Sequence, residues 1–402
     1  MALIVQKFGG TSVADAERIR HVASVITQTY DKGNQVIAVL SAQGDMTDVL
    51  EAKGLELSDR PSPREMDALL STGENISVAL CAIAIEKLGY PVISLSGGQA
   101  GFLTDSNYGS ARIKDIDTER MTSELDKRNI VIVAGFQGLN RYGDVTTLGR
   151  GGSNTSAVAI AAAMKADLCQ NFTDVDGIYT ADPRLVKNAR RLGEITFDEM
   201  LELASLGAQV LANRAVEMAK RYNVPLEVLS SFTPFQPGTI VKEVVKMENM
   251  QVSGVARDNN VARIAIIGLE DKPGVAARLF SLLARHKINV DIILQSIGRG
   301  DTKDISFTVT KSNMDLAREL LDSHKDSIGF EELVISDTVS KVSAVGAGMV
   351  NNPGVAARMF EALAAAGINI QMISTSEIKV SVLVDKADSD RAVQVIHDKF
   401  FK

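Results

Sequence analysis

The chain has 402 residues, of which 45% are hydrophobic and 23% charged, and its net charge is -7. Its length predicts two or three domains, and its composition is typical of a soluble α/β protein rather than of a disordered or fibrous one. Lysines and arginines are scattered along the chain, which argues against nucleic acid as a partner. The N-terminus lacks a signal-peptide pattern, and no apolar run approaches the ~20 residues of a membrane span, so we expect a cytoplasmic protein without a membrane partner.

Cysteine and histidine offer little chemistry in this sequence. Cys81 and Cys169 are far apart, and the four histidines are dispersed. Neither residue type has the spacing of zinc ligands or of a Ser-His-Asp hydrolase. Buried apolar cysteines are favoured over a disulfide, a thiol nucleophile or a metal site, and we predict no metal-binding residues.

The first part of the chain, residues 1–240, alternates between strand-like and helix-like segments. Runs of apolar β-formers predict strands at 3–8, 36–40, 91–95, 130–134 and 226–229. Apolar residues at helical spacing predict helices at 16–30, 65–88 and 156–165. This alternation is typical of a mostly parallel sheet with helices on both faces, and the prolines and glycine between 232 and 238 close the domain.

An internal repeat dominates the rest of the chain. Pro273-Gly274-Val275-Ala276-Ala277-Arg278 recurs as Pro353-Gly354-Val355-Ala356-Ala357-Arg358, which is 353 − 273 = 80 residues later. Each copy has the pattern strand, Pro-Gly turn, helix, two strands and helix, which predicts two ferredoxin-like βαββαβ modules. In the first copy these elements fall at 262–269, 275–286, 288–295, 304–310 and 316–324.

The second copy ends in a predicted helix at 389–399 without a final strand, whereas a spare strand at 251–256 precedes the first copy. We infer that the spare strand completes the second module, so that the first module is inserted within it. The predicted domains are a first domain at 1–240, an inserted module at 262–340, and a second module made of 251–258 and 341–402.

Three glycine-bearing loops follow predicted strands of the first domain, at 7–12, 149–155 and 173–179. Glycine lets backbone N–H groups approach a phosphate, and the start of a helix favours an anion. Because the loops that follow parallel strands meet at one sheet edge, we expect a single anion-binding crevice. The chain has neither a Walker P-loop nor a dinucleotide fingerprint, which argues against a Walker ATPase and a Rossmann dehydrogenase.

Six segments together resemble the aspartate kinases of the amino-acid kinase superfamily. They lie in chain order at 7–12, 41–48, 71–74, 134–138, 147–153 and 173–184. The C-terminal repeat resembles the paired ACT domains of that family, so the resemblance covers essentially the whole chain. It implies an α/β three-layer sandwich of the amino-acid kinase type with a mostly parallel sheet, followed by two ACT modules.

The activity that this resemblance implies is transfer of a phosphoryl group from ATP to the side-chain carboxylate of L-aspartate. The product would be 4-phospho-L-aspartate, the first intermediate toward lysine, threonine and methionine. An aspartate carboxylate is already ionised at neutral pH, because its reference pKa is ~3.9, so the reaction needs no catalytic base. Mg²⁺ is implied by the nucleotide rather than by any ligand cluster in the sequence.

The resemblance also assigns roles to individual residues. The residues that would bind the nucleotide and its transferred phosphoryl group are Lys7, Phe8, Gly9, Gly10, Ser41, Thr173, Asp174, Tyr179, Asp182, Pro183 and Arg184. The residues that would bind the amino-acid substrate are Ser41, Thr47, Glu74, Arg150, Gly151, Gly152 and Ser153. Glu74 would face the substrate ammonium and Arg150 the α-carboxylate. Lys7, Arg150 and Asp174 would be the catalytic residues.

The ACT resemblance implies lysine or threonine, or both, as allosteric effectors and a homo-oligomer assembled through the modules. Each Pro-Gly turn opens a helix, whose first N–H groups suit an effector carboxylate. The candidate effector residues are Asp271, Lys272, Pro273, Gly274, Val275, Asn289, Val290, Asp291, Gln295, Asn369, Ile370, Gln371, Thr375 and Ser376. An internal start at Met247 or Met250 would produce a separate regulatory subunit, as a habit of the family suggests.

Three positions depart from the family pattern. Asn154 stands in place of an aspartate, Asn171 in place of an apolar residue, and 212–215 reads Ala-Asn-Arg-Ala where His-Pro-Arg-Ser is common. Asn154 keeps the shape of an aspartate but lacks its charge. Two alternatives therefore stay open beside the leading interpretation: a catalytically weak regulatory or sensor subunit, and a kinase of a related amino acid such as glutamate.

Overall fold

The computed structural model describes residues 1–206, 211–245, 251–298, 302–349, 352 and 354–402. Met247 and Met250, the candidate internal starts, and Pro353 of the second repeat lie outside the described residues. The chain forms two compact units, which we call the kinase unit and the ACT unit. The kinase unit comprises Met1–Tyr179 and Arg191–Glu248, and the ACT unit comprises Thr180–Arg190 and Asn249–Lys402.

The kinase unit is built on one large sheet with a smaller sheet beside it. Its strands are β1 (Leu3–Phe8), β2 (Gln35–Leu40), β3 (Val92–Leu95), β4 (Phe102–Thr104), β5 (Ile113–Ile116), β6 (Ile130–Ala134), β7 (Gln137–Leu139), β8 (Val145–Thr147), β9 (Leu168–Thr173), β10 (Glu194–Thr196), β11 (Leu226–Ser230) and β12 (Thr239–Lys242). The large sheet has the order β10-β12-β11-β9-β1-β2-β6-β3, and β11, β9, β1, β2, β6 and β3 run parallel. The small sheet has the order β5-β4-β7-β8.

The helices of the kinase unit are α1 (Ala16–Asp31), α2 (Met46–Leu57), α3 (Pro63–Leu70), α4 (Thr72–Lys87), α5 (Glu119–Asp126), α6 (Gly152–Ala163), α7 (Phe197–Ser205) and α8 (Asn213–Tyr222). One face of the large sheet packs under α1 and α4 in a buried cluster that includes Phe8, Ile26 and Ile85. The opposite face packs under α6, since a Cβ built on Gly135 at the end of β6 would lie 2.8 Å from Ser153 Cβ and 3.0 Å from Val39 Cγ1. This layering confirms the predicted α/β fold with a mostly parallel sheet.

The single helix predicted at 65–88 is in fact two helices, α3 and α4, separated at Ser71. Ser71 Oγ donates to the Ala68 carbonyl (2.9 Å) and Thr72 Oγ1 donates to the Leu69 carbonyl (2.7 Å). Such bonds compete with the main-chain pattern of a helix. The Ser71 carbonyl also accepts a bond from Gln137 Nε2 (2.8 Å), which fixes the break.

The stretch Pro63–Lys87, which contains α3 and α4, is long and apolar enough to cross a membrane by length and composition alone. The sequence analysis expected no such run. Core helices of water-soluble proteins meet the same criterion, and Val78, Cys81 and Ile85 of α4 belong to the buried cluster over the large sheet.

The ACT unit contains two four-stranded antiparallel sheets. Its strands are β13 (Gly254–Asp258), β14 (Ala262–Glu270), β15 (Ile293–Gln295), β16 (Thr302–Val309), β17 (Glu332–Ser336), β18 (Val339–Val345), β19 (Met372–Thr375) and β20 (Lys379–Asp385). Its helices are α9 (Val275–Arg285), α10 (Met314–Ser323), α11 (Lys325–Ile328), α12 (Val355–Ala365) and α13 (Ser389–Phe401). The sheet orders are β15-β16-β14-β17 and β13-β18-β20-β19, so both repeats form the predicted ferredoxin-like modules.

The strand before the first repeat, β13, pairs antiparallel with β18 in the sheet of the second repeat. The core of that module also holds part of segment 180–190, which the sequence analysis counted with the first domain. Ala181 and Val186 are buried there, and the Val255 N–H donates to the Thr180 carbonyl (2.7 Å). Thr180 Oγ1 and the buried His397 Nε2 of α13 share a hydrogen bond of 2.9 Å.

Candidate active site

The candidate site lies at the edge of the large sheet where its parallel strands end. There β1 presents Lys7, β2 leads into Ser41, and β9 leads from Thr173 into Asp174. A Cβ built on Gly9 would lie 3.3 Å from Lys7 Nζ and 4.0 Å from the Phe172 carbonyl, so the ends of β1 and β9 are close together. This arrangement is the one expected for a ligand crevice at the carboxyl ends of parallel strands.

The loops after β1 and β2 are in direct main-chain contact. The Gly44 N–H donates to the Gly10 carbonyl (3.0 Å). A side chain at position 10 would lie only 2.8 Å from the Ala42 carbonyl and 2.9 Å from the Gly44 carbonyl, so glycine is required by this close approach. The two loops therefore form one continuous wall of the site.

Glu74 lies in the first turn of α4 and points its carboxylate at the same wall. Its side chain is 3% exposed, and Oε1 accepts a bond from the Ala42 N–H (3.1 Å). Oε2 is buried and has no hydrogen-bond partner among the described residues. Burial raises the pKa of Glu74 to about 7, and the Ala42 N–H only partly opposes this shift. A buried carboxylate oxygen without a donor is suited to bind a cation such as a substrate ammonium.

Lys7 is a buried cation at the same edge of the sheet. Its side chain is 9% exposed, and its ammonium makes no hydrogen bond or ion pair with any residue in the described part of the chain. Burial lowers the pKa of Lys7 to about 8, while the nearby Asp174 carboxylate opposes that shift. A cation whose partner is absent is suited to bind phosphate oxygens.

The loop before α6 brings Arg150 and three small residues to this edge. Gly151 has a φ of 72° and ends the loop, and a side chain there would lie 2.5 Å from Ala212 Cβ. Ser153 packs against Gly135, the residue that follows β6. Arg150 itself is exposed. The helix begins at Gly152, four residues before the predicted start at 156, because the glycine-rich loop has no helical periodicity.

Two residues that support this loop were missed by the sequence analysis. Asp67 of α3 is 1% exposed and accepts bonds from the Thr147 N–H (2.9 Å), Thr147 Oγ1 (2.6 Å) and the Gly109 N–H (2.9 Å). Arg214 donates to the Leu148 carbonyl (3.0 Å) and the Ala111 carbonyl (3.0 Å). Arg214 lies in segment 212–215, which departs from the family pattern. That departure was the one feature of the sequence that drew attention to this region.

The remaining nucleotide candidates are divided between the two units. Thr173 Oγ1 donates to Asp174 Oδ1 (3.1 Å), and the Tyr179 hydroxyl donates to Asp176 Oδ1 (2.9 Å). Asp182, Pro183 and Arg184 belong to segment 180–190 of the ACT unit, where Arg184 Nη2 forms an ion pair with Asp182 Oδ2 (2.7 Å).

The described residues contain no group of three or more His, Cys, Asp or Glu side chains placed to hold a metal ion. Mg²⁺ in nucleotide enzymes usually keeps several waters and is bound through phosphates with one or two carboxylates. Asp174, exposed and beside Lys7, is a carboxylate of that kind, so the residues present fit an ion that arrives with a nucleotide.

Most of the candidate effector residues lie on exposed parts of the ACT unit, but Val275 is buried in the core of the first module. Asp271 pairs with Lys303 (2.6 Å) and Lys272 with Glu270 (3.1 Å), and Gly274 begins α9 with a φ of 94°. Asn289 and Asn369 are the equivalent positions of the two repeats, and both are exposed. Asp291 is paired with Lys341. The exposed candidates Gln295, Thr375 and Ser376 lie on or next to the edge strands β15 and β19.

Known protein families match both units of the chain. The amino acid kinase family matches residues 2–230, and the ACT domain family matches residues 264–324 and 342–400. An aspartokinase from Mycolicibacterium smegmatis is 51% identical over 407 aligned residues, which cover 100% of this chain and 96% of the relative.

Two solved structures of E. coli aspartokinase III extend the comparison. The first, in complex with aspartate and ADP, superposes with a TM-score of 0.81 at 27% identity, and the second, in complex with lysine and aspartate, with a TM-score of 0.77 at 27% identity. Both alignments cover 100% of each chain. Fold and site thus define an amino acid kinase with a paired ACT regulatory module. More specifically, the chain belongs to the aspartate kinases.

The burial of the Glu74 carboxylate predicts an unusual pH dependence of stability. The pKa of this group is about 7 in the folded protein and 4.5 in its reference state. The ligand-free folded chain therefore holds a proton that the unfolded chain loses as pH rises from about 4.5 to 7, so the free energy of unfolding should fall through this window, by about 3 kcal/mol.

Glu74→Gln should remove this part of the pH dependence and make the ligand-free protein more stable above pH 7. Denaturant unfolding of both proteins at several pH values between 4.5 and 8 measures the difference. Glu86→Gln, an exposed substitution on the same helix, is the matched control and should leave the pH dependence unchanged. Parallel curves for Glu74→Gln and the unsubstituted protein would contradict the prediction.

Proposed function

We propose that this aspartate kinase transfers the γ-phosphoryl group of ATP to the side-chain carboxylate of L-aspartate, as the first step toward lysine, threonine and methionine. The observation that carries this proposal is a pair of buried groups of opposite charge at one sheet edge, the Lys7 ammonium and the Glu74 carboxylate, whose Oε2 has no partner among the described residues. The similar E. coli enzyme was solved in complex with aspartate and ADP. The ammonium of aspartate is complementary in charge to Glu74, and the phosphates of ADP are complementary in charge to Lys7.

Each group of residues has a role in this proposal. Glu74 binds the substrate ammonium, because its Oε2 has no other cationic or donor partner in the described residues. Arg150 and the N–H groups of Gly151, Gly152 and Ser153 at the start of α6 bind the α-carboxylate, since a helix N-terminus and a guanidinium both favour an anion. Ser41 and Thr47 line the space between the substrate and the phosphate.

Phosphoryl transfer in this site needs positioning and charge neutralisation rather than a base. An oxygen of the ionised aspartate side chain attacks the γ-phosphorus, the bond from that phosphorus to the β-phosphate oxygen breaks, and ADP leaves. Lys7, with the backbone N–H groups of Gly9 and Gly10, stabilises the negative charge on the transferring phosphoryl oxygens. Mg²⁺ bound to the nucleotide would supply further positive charge at the phosphates.

Contacts with the rest of the nucleotide are assigned to Thr173, Asp174 and Tyr179 of the kinase unit. Phe8 can contribute only main-chain atoms, because its side chain is fully buried in the cluster under α1 and α4. Asp174 lies close enough to Lys7 to act on its pKa, so it helps to keep that ammonium charged. The roles of Asp182, Pro183 and Arg184 toward the nucleotide remain predictions from the resemblance.

We propose that lysine is an allosteric effector and threonine a second candidate, both bound at the ACT unit. The E. coli relative was solved with lysine and aspartate in a T-state. In this chain a left-handed glycine precedes the first helix of both repeats, Gly274 (φ 94°) and Gly354 (φ 103°), so the two repeats present equivalent helix N-termini. Such an effector inhibits only if it favours a state with a poorer active site.

A purified sample should form an acyl phosphate from ATP and L-aspartate, which hydroxylamine traps as a measurable hydroxamate. Lys7→Met should lower kcat by about 100-fold or more, because it removes the charge that stabilises the transferring group. Lys32→Met, at an exposed lysine outside the site, should behave as the unsubstituted enzyme does.

Three results of this assay would contradict the proposal in different ways. Full activity of Lys7→Met would remove Lys7 from the mechanism. A stronger reaction with glutamate than with aspartate would favour the related-acid alternative. A chain that is inactive alone but changes the activity of another aspartate kinase would favour the sensor-subunit alternative that Asn154 raises.

Lysine should raise the melting temperature of the protein more than methionine does, because a ligand that prefers the folded state stabilises it by mass action. The matched substitutions Asn289→Ala and Asn369→Ala, one in each repeat, should reduce this shift unequally and so identify the module that binds. No shift with lysine or threonine up to millimolar concentration would contradict effector binding.

We also propose a homo-oligomer assembled through the ACT modules. The edge strand β15 leaves Ile293 50% exposed and is followed by Ile297, which is 96% exposed, and the edge strand β19 leaves Ile373 40% exposed. Unpaired apolar edges of this kind favour pairing with another chain. Light scattering should give at least twice the chain mass of 43.1 kDa, and Ile293→Lys should lower it, whereas a monomer would contradict the assembly.

A further inference from the structure

One row of side chains crosses the large sheet beneath the candidate site. The register of the parallel strands aligns Val133, Val39, Lys7, Asn171 and Val228. Aligned residues of neighbouring parallel strands point to the same face of a sheet. The row therefore consists of three fully buried valines and two polar residues, which are adjacent to each other.

Asn171 has no partner for its amide. The side chain is 4% exposed, and neither Nδ2 nor Oδ1 has a hydrogen-bond partner in the described part of the chain. An unpaired buried amide is unfavourable, and a valine or leucine in the same row would avoid that penalty. Packing therefore gives no reason for an amide at this position.

The surroundings of Lys7 contain few titratable groups. Cys169 of β9 and Asp174 just after it are the titratable groups that act on it. Strand β2, helix α6 and the turn at Gly10–Val13, which also pack near β1, contain no titratable side chain. Asn171 is therefore the polar neighbour that Lys7 has within its row.

We propose that Asn171 is a positioning residue for Lys7, whose amide oxygen holds the ammonium in place, directly or through one bound water. The proposal rests on the role of Lys7 in phosphoryl transfer. A carbonyl dipole beside a buried ammonium favours its charged form, and a bridging water would also satisfy the amide. The Asn171 amide and the Lys7 ammonium, which both lack partners, would thus be hydrogen-bonded to each other or to a shared water when the site is hydrated or occupied.

Asn171→Leu tests this role because it keeps the approximate shape and removes the dipole. The pH profile of kcat/KM for aspartate should have an alkaline limb that reflects loss of the Lys7 proton, whose pKa burial lowers to about 8 in the ligand-free protein. In Asn171→Leu this limb should move to lower pH by about one unit, since the charged form loses a favourable neighbour. The melting temperature should not fall, because an unpaired buried amide has been removed.

Asn171→Asp is the complementary variant. A carboxylate beside the ammonium should raise the pKa of Lys7 and move the alkaline limb to higher pH by about one unit or more. Val228→Ala, at the other neighbour of Asn171, is the control for packing. It should lower the melting temperature through a cavity but leave both limbs of the profile in place.

Alkaline limbs that stay unmoved in both Asn171 variants would overturn the proposal and leave Asn171 a purely structural residue. Opposite shifts in Asn171→Leu and Asn171→Asp would support it. An acid limb is also expected, from protonation of the Glu74 carboxylate, whose pKa burial raises to about 7. It should stay in place in every case, because Glu74 lies on α4 and is not in the row of Asn171. The activity of Lys7→Met distinguishes failure of the proposed role of Lys7 in phosphoryl transfer from failure of the positioning role of Asn171. If Lys7→Met is fully active, it is the role of Lys7 that fails.

Discussion

Lys7 and Glu74 are buried groups of opposite charge, and in the described residues neither the Lys7 ammonium nor Glu74 Oε2 has a protein partner. Burial of unpaired charge is unfavourable, so the ligand-free site is maintained by the packing around it rather than by its own contacts. The same burial makes each charge stronger toward a ligand, because the surrounding medium screens it less than water does. Binding of an ammonium and a phosphate would therefore relieve both penalties together.

Several glycines make this arrangement possible. Side chains at Gly10, Gly73 and Gly135 would each lie 2.8 Å from a neighbouring atom, at the Ala42 carbonyl, Ala42 Cβ and Ser153 Cβ respectively. These contacts bring the loops after β1, β2 and β6 against the first turns of α4 and α6. Larger residues would separate those loops and open the wall around Lys7 and Glu74. The glycines thus act by close packing, in addition to any N–H contact with phosphate.

The parallel strands and the repeat were predictable from the sequence, because buried apolar runs and a recurring six-residue segment leave clear patterns. Strands 3–8 and 130–134 agree to the residue with β1 and β6. The small sheet was missed, since strands of three or four residues have no detectable period. The supporting role of Asp67 depends on contacts between distant segments, and the alignment of Asn171 with Lys7 depends on strand register. No local sequence pattern contains either kind of information. The break at Ser71 was hidden by continuous helical spacing on both sides.

Segment 180–190 distinguishes the two ACT modules. The buried cluster of the first module draws its members from 262–330, whereas that of the second also contains Ala181 and Val186. The loop that carries Asp174 is thus anchored at one end by β9 in the large sheet and continues at the other into the core under α12 and α13. Thr180 is fixed there through its bonds with Arg190 and His397. The second module therefore shares one continuous stretch of backbone with the loop proposed to bind the nucleotide, a connection that the first module lacks in the described residues.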